Sequence, residues 1–271
     1  MIRGELAVVT GASSGIGLEL ARLLARDGYD LIIVADDAEI VSAAVTLGRA
    51  GDVSVDALRL DLAKPIDVER IIAAVDADGR VPAVLALNAG TGRAGRFVEA
   101  SVETDLTVVD VNVRSAVQLA KPIVTRMAQR DRGRVLFTSS LVATMPGSHQ
   151  TMYNASKSFI QSFAEGLHDE FTGTGVTVTA LMPGATDTDF FRRAGMLDTV
   201  LGRMPGKDDP AKTAKQGYDA MMRGETKVVA SSPLSKLTAS AAAVLPDAVK
   251  AKVNRLLTQP LPSPRNRRST P

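Results

Sequence analysis

Two residues four positions apart, Tyr153 and Lys157, close the stretch RVLFTSSLVATMPGSHQTMYNASK that begins at Arg134. On a helix this spacing puts both side chains on one face, about 5–6 Å apart at Cβ. An ammonium beside a phenol favours the phenolate, so Lys157 is expected to lower the Tyr153 pKa from its ordinary value near ~10. Tyr153 then becomes an acid/base for work near neutral pH. Upstream, the apolar run Val135, Leu136, Phe137 reads as a buried strand ending in Thr138, Ser139 and Ser140. Hydroxyls thus emerge at a strand's carboxyl end, where open parallel sheets bind ligands. Taken alone, the Tyr/Lys pair also reads as a surface pair and the two serines as a turn or helix cap.

A second constellation lies near the start, at Thr10-Gly11-Ala12-Ser13-Ser14-Gly15-Ile16-Gly17. Glycines at a strand-to-helix junction let the backbone turn tightly and approach a pyrophosphate, whose charge meets the amides and dipole of the helix start. The spacing is Gly-x-x-x-Gly-x-Gly rather than the commoner Gly-x-Gly-x-x-Gly. About twenty residues on, a strand ends in Ala35-Asp36-Asp37, where a ribose-binding acid is expected. A carboxylate at Asp36 accepts from two ribose hydroxyls and repels a 2′-phosphate, which favours NAD over NADP. The same two acids also read as a cap for the following helix.

The elements that must position these groups alternate along the chain. Strands are expected at Leu6–Thr10, Leu31–Ala35, Val53–Leu60, Val84–Asn88, Val135–Ser139, Val176–Met182 and Lys227–Ala230. Helices are expected at Gly15–Arg26, Pro65–Val75, Leu106–Arg130, Thr151–Phe171 and from Pro210. Such alternation implies an α/β fold, a Rossmann-type doubly wound parallel sheet with helices on both faces. Two further helical patterns, Pro233–Ala243 and Pro246–Leu257, form a C-terminal extension, and the Pro- and Arg-bearing end reads as a disordered tail. The expected division is 1–232 as the dinucleotide-binding and catalytic domain, 233–258 as the extension and 259–271 as the tail.

Composition excludes several classes. The chain has 271 residues and no cysteine, so it carries no disulfide framework and no thiolate chemistry. With His149 and His168 its only imidazoles, no metal site is expected. A net charge of +2 with no Trp gives no basis for nucleic-acid binding. The start MIRGELAVVTG has no extended apolar segment and no run is long enough to span a bilayer, so a cytoplasmic protein without membrane contact is expected.

With these residues in hand, the chain resembles the short-chain dehydrogenase/reductase family from about Leu6 to Thr188. The shared motifs are the turn at Thr10–Gly17, Asp61-Leu62, Asn88-Ala89-Gly90, Asn112, Ser140, Tyr153, Lys157, and Pro183-Gly184 with Thr188. The resemblance implies hydride transfer between a nicotinamide and a carbonyl or alcohol substrate. Tyr153 would be the general acid/base, with Ser140 on the same substrate oxygen; Ser139 is the runner-up. Lys157 would bind the nicotinamide ribose and Asn112 would hold a water connecting Lys157 to solvent. Gly11, Ser13, Ser14, Gly15, Ile16 and Gly17 would cradle the pyrophosphate. Asp61 and Leu62 would bracket the adenine, while Asn88, Ala89 and Gly90 would admit the ribose. After Pro183 and Gly184, the Thr186 backbone would face the carboxamide and Thr188 would donate to carboxamide or phosphate. NAD(H) is favoured and NADP(H) remains open, since family members that prefer NAD usually carry the acid where this chain has Ala35. No Arg or Lys occupies Ala12 to Ser14 to hold a 2′-phosphate.

Phe190, Phe191, Met196, Leu197, Leu201 and Met204 would close over a hydrophobic substrate, or pack as core. Arg93, Arg96, Arg192 and Arg193 could meet an anionic substrate end. The C-terminal helices could cover the sheet edge, lid the site or touch a membrane, with sheet-edge packing the plainest expectation. His149 could edge the pocket, and His168 reads as a solvated helix residue. A homodimer through the long helices is expected, with a tetramer as the alternative. Two other functions compete. Gly11-Ala12-Ser13-Ser14-Gly15 matches a hydrolase nucleophile elbow but lacks a suitably placed histidine. A noncatalytic redox sensor would carry a damaged catalytic set, whereas here the set is intact.

Overall fold

The computed structural model describes residues 4–230 and 246–261. Strands β1 (Leu6–Thr10), β2 (Asp30–Ala35), β3 (Val55–Arg59), β4 (Val84–Leu87), β5 (Gly133–Thr138), β6 (Val176–Pro183) and β7 (Lys227–Ala230) form one sheet in the order β3-β2-β1-β4-β5-β6-β7. Every pairing is parallel. The strand order reverses between β1 and β4, the position where open sheets of this kind bind ligands.

Each central strand is buried on both faces, which is why β1, β2 and β5 read as nearly unbroken apolar runs. One face is covered by α1 (Gly15–Arg26), α2 (Glu39–Gly51) and α9 (Pro210–Arg223), whose Leu20, Leu24, Leu47 and Met221 join Val9 and Ile33 in one core. The other face is covered by α3 (Pro65–Asp78), α5 (Ser115–Gln129) and α6 (Thr151–Glu170). There Ile71, Leu119, Ile123 and Ile160 meet Leu85 and Phe137. Truncating one of these fully buried leucines to alanine would cost about 2–5 kcal/mol.

Several boundaries depart from the sequence expectation. The strand expected over Val53–Leu60 is shorter, and the helix expected after Asp36 and Asp37, which the sequence pattern left without bounds, is α2. The helix expected over Leu106–Arg130 is two helices, α4 (Val102–Val109) and α5, joined by a π-helical turn at Asp110–Arg114. The extension pattern Pro246–Leu257 forms α10 (Asp247–Thr258), whereas the helix expected over 233–243 and the tail from 262 lie outside the described residues. Helix α10 does not cover the sheet edge. It packs against the short helix α8 (Val200–Arg203), and Asn254 Nδ2 and Thr258 Oγ1 donate to Ser148 O at 3.3 and 2.8 Å. Among the described residues no helix is long and apolar enough to cross a membrane.

Candidate active site

A cleft of about 800 Å³ opens along the carboxyl ends of β1, β4, β5 and β6. Its floor at one end is the glycine turn. Gly15 has φ +56°, a left-handed conformation that disfavours side chains, and a Cβ on Gly17 would lie 2.0 Å from Gly11 O. These close approaches explain the glycine spacing physically. Gly11, Ser13, Ser14, Gly15 and Ile16 line the cleft, while Gly17 lies beneath it and permits the turn. Asn88 holds the opposite wall: its Nδ2 donates to Thr10 O at 3.3 Å and its Oδ1 accepts from Thr138 Oγ1 at 3.0 Å. Ala89 and Gly90 follow it along the cleft, and a Cβ on Gly90 would stand 3.0 Å from Lys157 Nζ.

The Tyr/Lys pair lies at the centre. Helix α6 starts at Thr151, and Asn154 ties it to the preceding loop by donating to Val142 O and Met145 O at 3.3 and 3.2 Å. Lys157 is buried; its Nζ donates to Thr138 O at 2.8 Å and sits 5.9 Å from the Tyr153 ring centroid. No carboxylate pairs with it among the described residues, and burial pulls its pKa down to about 8. Two of its three N–H donors have no protein acceptor there. Ser140 stands close enough to the Tyr153 phenol to lower its pKa, and its Oγ accepts from Val142 N at 3.3 Å, whereas Ser139 Oγ donates to Lys157 O at 3.0 Å and is a helix anchor.

One expectation is reversed. The Tyr153 pKa is not lowered by Lys157; burial pushes it up to about 12, with the Ser140 hydrogen bond partly opposing that rise. The sequence shows the cation but not the desolvation. Phe190, in the short helix α7 (Phe190–Arg193), covers the phenol. Gly92, which the sequence reading passed over, lets this happen: a Cβ there would be 2.8 Å from Phe190 Cζ and 3.2 Å from Tyr153 Cδ2.

Asn112 sits in the π turn, outside the main cleft. Its Oδ1 accepts from Thr91 N at 2.8 Å, and its Nδ2 donates to Thr91 O and Ser156 Oγ at 2.8 and 2.9 Å. A small cavity of about 10 Å³ lies between Asn112, Thr138 and Lys157. At the far end of β3, Asp61 Oδ1 caps Ala63 N at 2.9 Å and Leu62 lines the cleft. Pro183, Gly184, Thr186 and Thr188 form the facing rim; Thr186 Oγ1 donates to Gly184 O at 3.2 Å.

The acids after β2 do not cap α2. Asp36 Oδ1 accepts from Arg193 Nη1 at 3.2 Å, and Asp37 Oδ2 accepts from Arg193 Nη2 and from Ser13 Oγ, both at 2.8 Å. Of the four arginines considered for an anionic substrate, Arg93, Arg96 and Arg192 pair with Asp105, Glu99 and Asp189, and only Arg193 lines the cleft. The end of the cleft beyond Tyr153 is walled instead by Leu141, Met145, Phe190, Met196 and Met204, together with Val253 and Leu257 of α10. His149 is not on this wall. His168 is no solvated residue: its Nδ1 and Nε2 lie 2.9 Å from Val178 O and Thr226 Oγ1. With Ser13 bonded to Asp37 rather than to a histidine, the elbow-like sequence has no triad.

A doubly wound parallel sheet with a glycine-turn cleft at its switch point and a Ser/Tyr/Lys set in that cleft defines a dinucleotide-dependent oxidoreductase class. The model for short chain dehydrogenase matches residues 5–196, and the chain belongs to that family. It is 32% identical over 213 residues to oxidoreductase UcpA of Salmonella typhimurium, covering 77% of each chain. A short-chain dehydrogenase from Sphingobium yanoikuyae in complex with NADPH superposes with a TM-score of 0.78 at 27% identity, over 90% of this chain and 97% of that one. The bulky-bulky ketone specific alcohol dehydrogenase from Comamonas testosteroni gives 0.75 at 25% identity, over 90% and 96%.

Proposed function

We propose that the protein is an NAD(P)-dependent oxidoreductase acting on an apolar ketone or secondary alcohol, with Tyr153 as its general acid/base. The observation that carries this reading is the buried Lys157 ammonium beside Tyr153, with one protein acceptor and two donors left for a ligand. Ribose hydroxyls satisfy such donors. The cradle made by Gly11, Gly15 and Gly17 fits a pyrophosphate, with Ser13, Ser14 and Ile16 at its rim. Asp61 and Leu62 would flank the adenine, Asn88 to Gly90 the ribose, and Pro183, Gly184, Thr186 and Thr188 the carboxamide end.

When bound, the nicotinamide supplies or accepts the hydride. The chain's own groups handle the proton. Ser140 holds the substrate oxygen where charge develops, and Tyr153 gives its phenolic proton to that oxygen in reduction or takes it in oxidation. Lys157, once its free donors meet the ribose, holds positive charge near the phenol and draws its pKa down from the value in the nucleotide-free site. Asn112 would hold a water beside Lys157; the small cavity between them is close to the ~10–15 Å³ one water needs.

The wall of Met145, Phe190, Met196, Met204 and Leu257 favours a bulky neutral substrate, in keeping with the bulky ketone named for the Comamonas relative. Asp36 favours NAD(H) through its carboxylate, with NADP(H) as the second coenzyme. Exposed Val102 and Leu106 on α4 and Phe159 on α6 support a homodimer through these helices, which equilibrium sedimentation of Phe159→Asp would test. The central experiment measures NADH and NADPH oxidation with a panel of bulky ketones. Tyr153→Phe should lower turnover by about 10²–10⁴-fold while leaving coenzyme affinity intact. Unchanged turnover would overturn the assignment.

A further inference from the structure

We propose that Arg193 sets the coenzyme selectivity of the cleft, letting it accept a 2′-phosphate despite the acids at the end of β2. This rests on the reading of the cleft as a nicotinamide dinucleotide site. The two acids, Asp36 and Asp37, stand where an adenosine ribose would lie, and by themselves they repel a phosphate. Arg193 reaches them from α7, on the far rim, with one Nη on each carboxylate. A second guanidinium, that of Arg59, donates its Nε to the Asp36 backbone oxygen at 3.2 Å. Arg193 is thus the cation ion-paired with both carboxylates, whereas Arg59 meets only the Asp36 backbone.

Three features separate this ion pair from an ordinary surface contact. Among the described residues Arg193 is the one arginine that lines the cleft. Its partners are 156 and 157 positions away in sequence, so the pair spans the cleft rather than stabilising one helix. Its guanidinium already meets two carboxylate oxygens side by side, and this fork geometry also suits the oxygens of a phosphate. Asp36 is the more exposed acid, with 58% of its side chain accessible against 20% for Asp37. Asp37 is held by Ser13 as well, so Asp36 is the partner Arg193 can exchange for a phosphate while keeping Asp37.

With NAD(H), Asp36 takes the ribose hydroxyls and Arg193 stays on Asp37. With NADP(H), Arg193 turns from Asp36 to the 2′-phosphate. Selectivity is therefore set by a cation on the segment after β6, not by the glycine turn, where no Arg or Lys occurs from Ala12 to Ser14.

The test is fluorescence titration of the full chain with NADH and with NADPH, for wild type, Arg193→Gln and Asp36→Asn, at low and high salt. Wild type should bind both coenzymes. Arg193→Gln should weaken NADPH by at least about tenfold while changing NADH less than about threefold, the scale of one charged hydrogen bond lost. It should also remove the steeper salt dependence of NADPH binding. Asp36→Asn, which keeps the cation, should tighten NADPH. Equal weakening of both coenzymes would make Arg193 a simple closing strap and overturn the proposal, as would no change in either. Failure of wild type to bind either coenzyme would overturn the dinucleotide reading, and this inference with it.

Discussion

The Phe190 ring lies against the Tyr153 phenol, with centroids 4.9 Å apart and planes inclined by 42°. Phe190 comes from the segment after β6, so the surroundings of the phenol depend on where that segment rests. Replacing Phe190 with alanine readmits water. The Tyr153 pKa, raised by burial, should then fall, and the Michaelis constant for apolar ketones should rise about tenfold as an aromatic contact is lost. Tyrosinate difference absorbance and steady-state kinetics would show both. A KM rise without any pKa change would mean that Phe190 contacts substrate without governing the phenol.

Lys157 should leave a mark on stability against pH. Its folded-state pKa is lowered to about 8 from 10.5, so between these values the unfolded chain binds the extra proton. Stability from this group is therefore present above the unfolded pKa and lost as pH falls through the folded one. In the nucleotide-free protein, Lys157→Met should raise the melting temperature at pH 7, and that advantage should shrink between about pH 8 and 10.5. Thermal melts of both proteins across this range would check it. A pH-independent difference would contradict titration of Lys157 in that window.

Gly17→Ala should separate the turn from the catalytic set. Its Cβ would lie 2.0 Å from Gly11 O, a backbone atom that cannot yield without moving the turn. Coenzyme binding should be lost, with stability reduced by about 1–3 kcal/mol. Isothermal titration and chemical unfolding would measure the two effects.

Leu257→Trp should narrow the apolar end of the cleft, proposed to take the substrate, without touching the Tyr/Lys pair. Since α10 walls the cleft there, kcat/KM should fall for bulky ketones and hold for small ones. If both fall alike, α10 supports the fold rather than the substrate wall.

Much of this architecture was legible in the chain. The buried run of β1 and the apolar stripe of α1 read to the residue, because burial on both sheet faces or on one helix face leaves an unambiguous pattern. Helix α2 is legible only as the helix following Asp36 and Asp37, without bounds, because its buried Ile40, Ala43 and Leu47 are diluted by alanine and glycine. The break between α4 and α5 was invisible, since apolar spacing hardly changes across one widened turn. In the site, the Ser/Tyr/Lys spacing and the glycine turn could be read from local geometry. Arg193 was visible only as a loose cation, because its place opposite Asp36 depends on how the segment after β6 folds back. Tyr153 was misjudged for a related reason: its neighbour in sequence is a cation, but its neighbours in space include Phe190.

The π turn at Asp110–Arg114 carries one more residue than an ordinary helical turn, and each residue of an α-helix advances by about 100°. Helices α4 and α5 are therefore out of phase, like two gears keyed on one shaft with a fixed offset. That offset lets Asn112 meet Thr91 and Ser156 while Leu119, Ile123 and Met127 still face the sheet. Removing any one residue from the turn would restore a continuous helix and force a choice between the two. Chain length at this spot is thus as constrained as residue identity, and no point substitution within the turn reproduces the change a deletion makes.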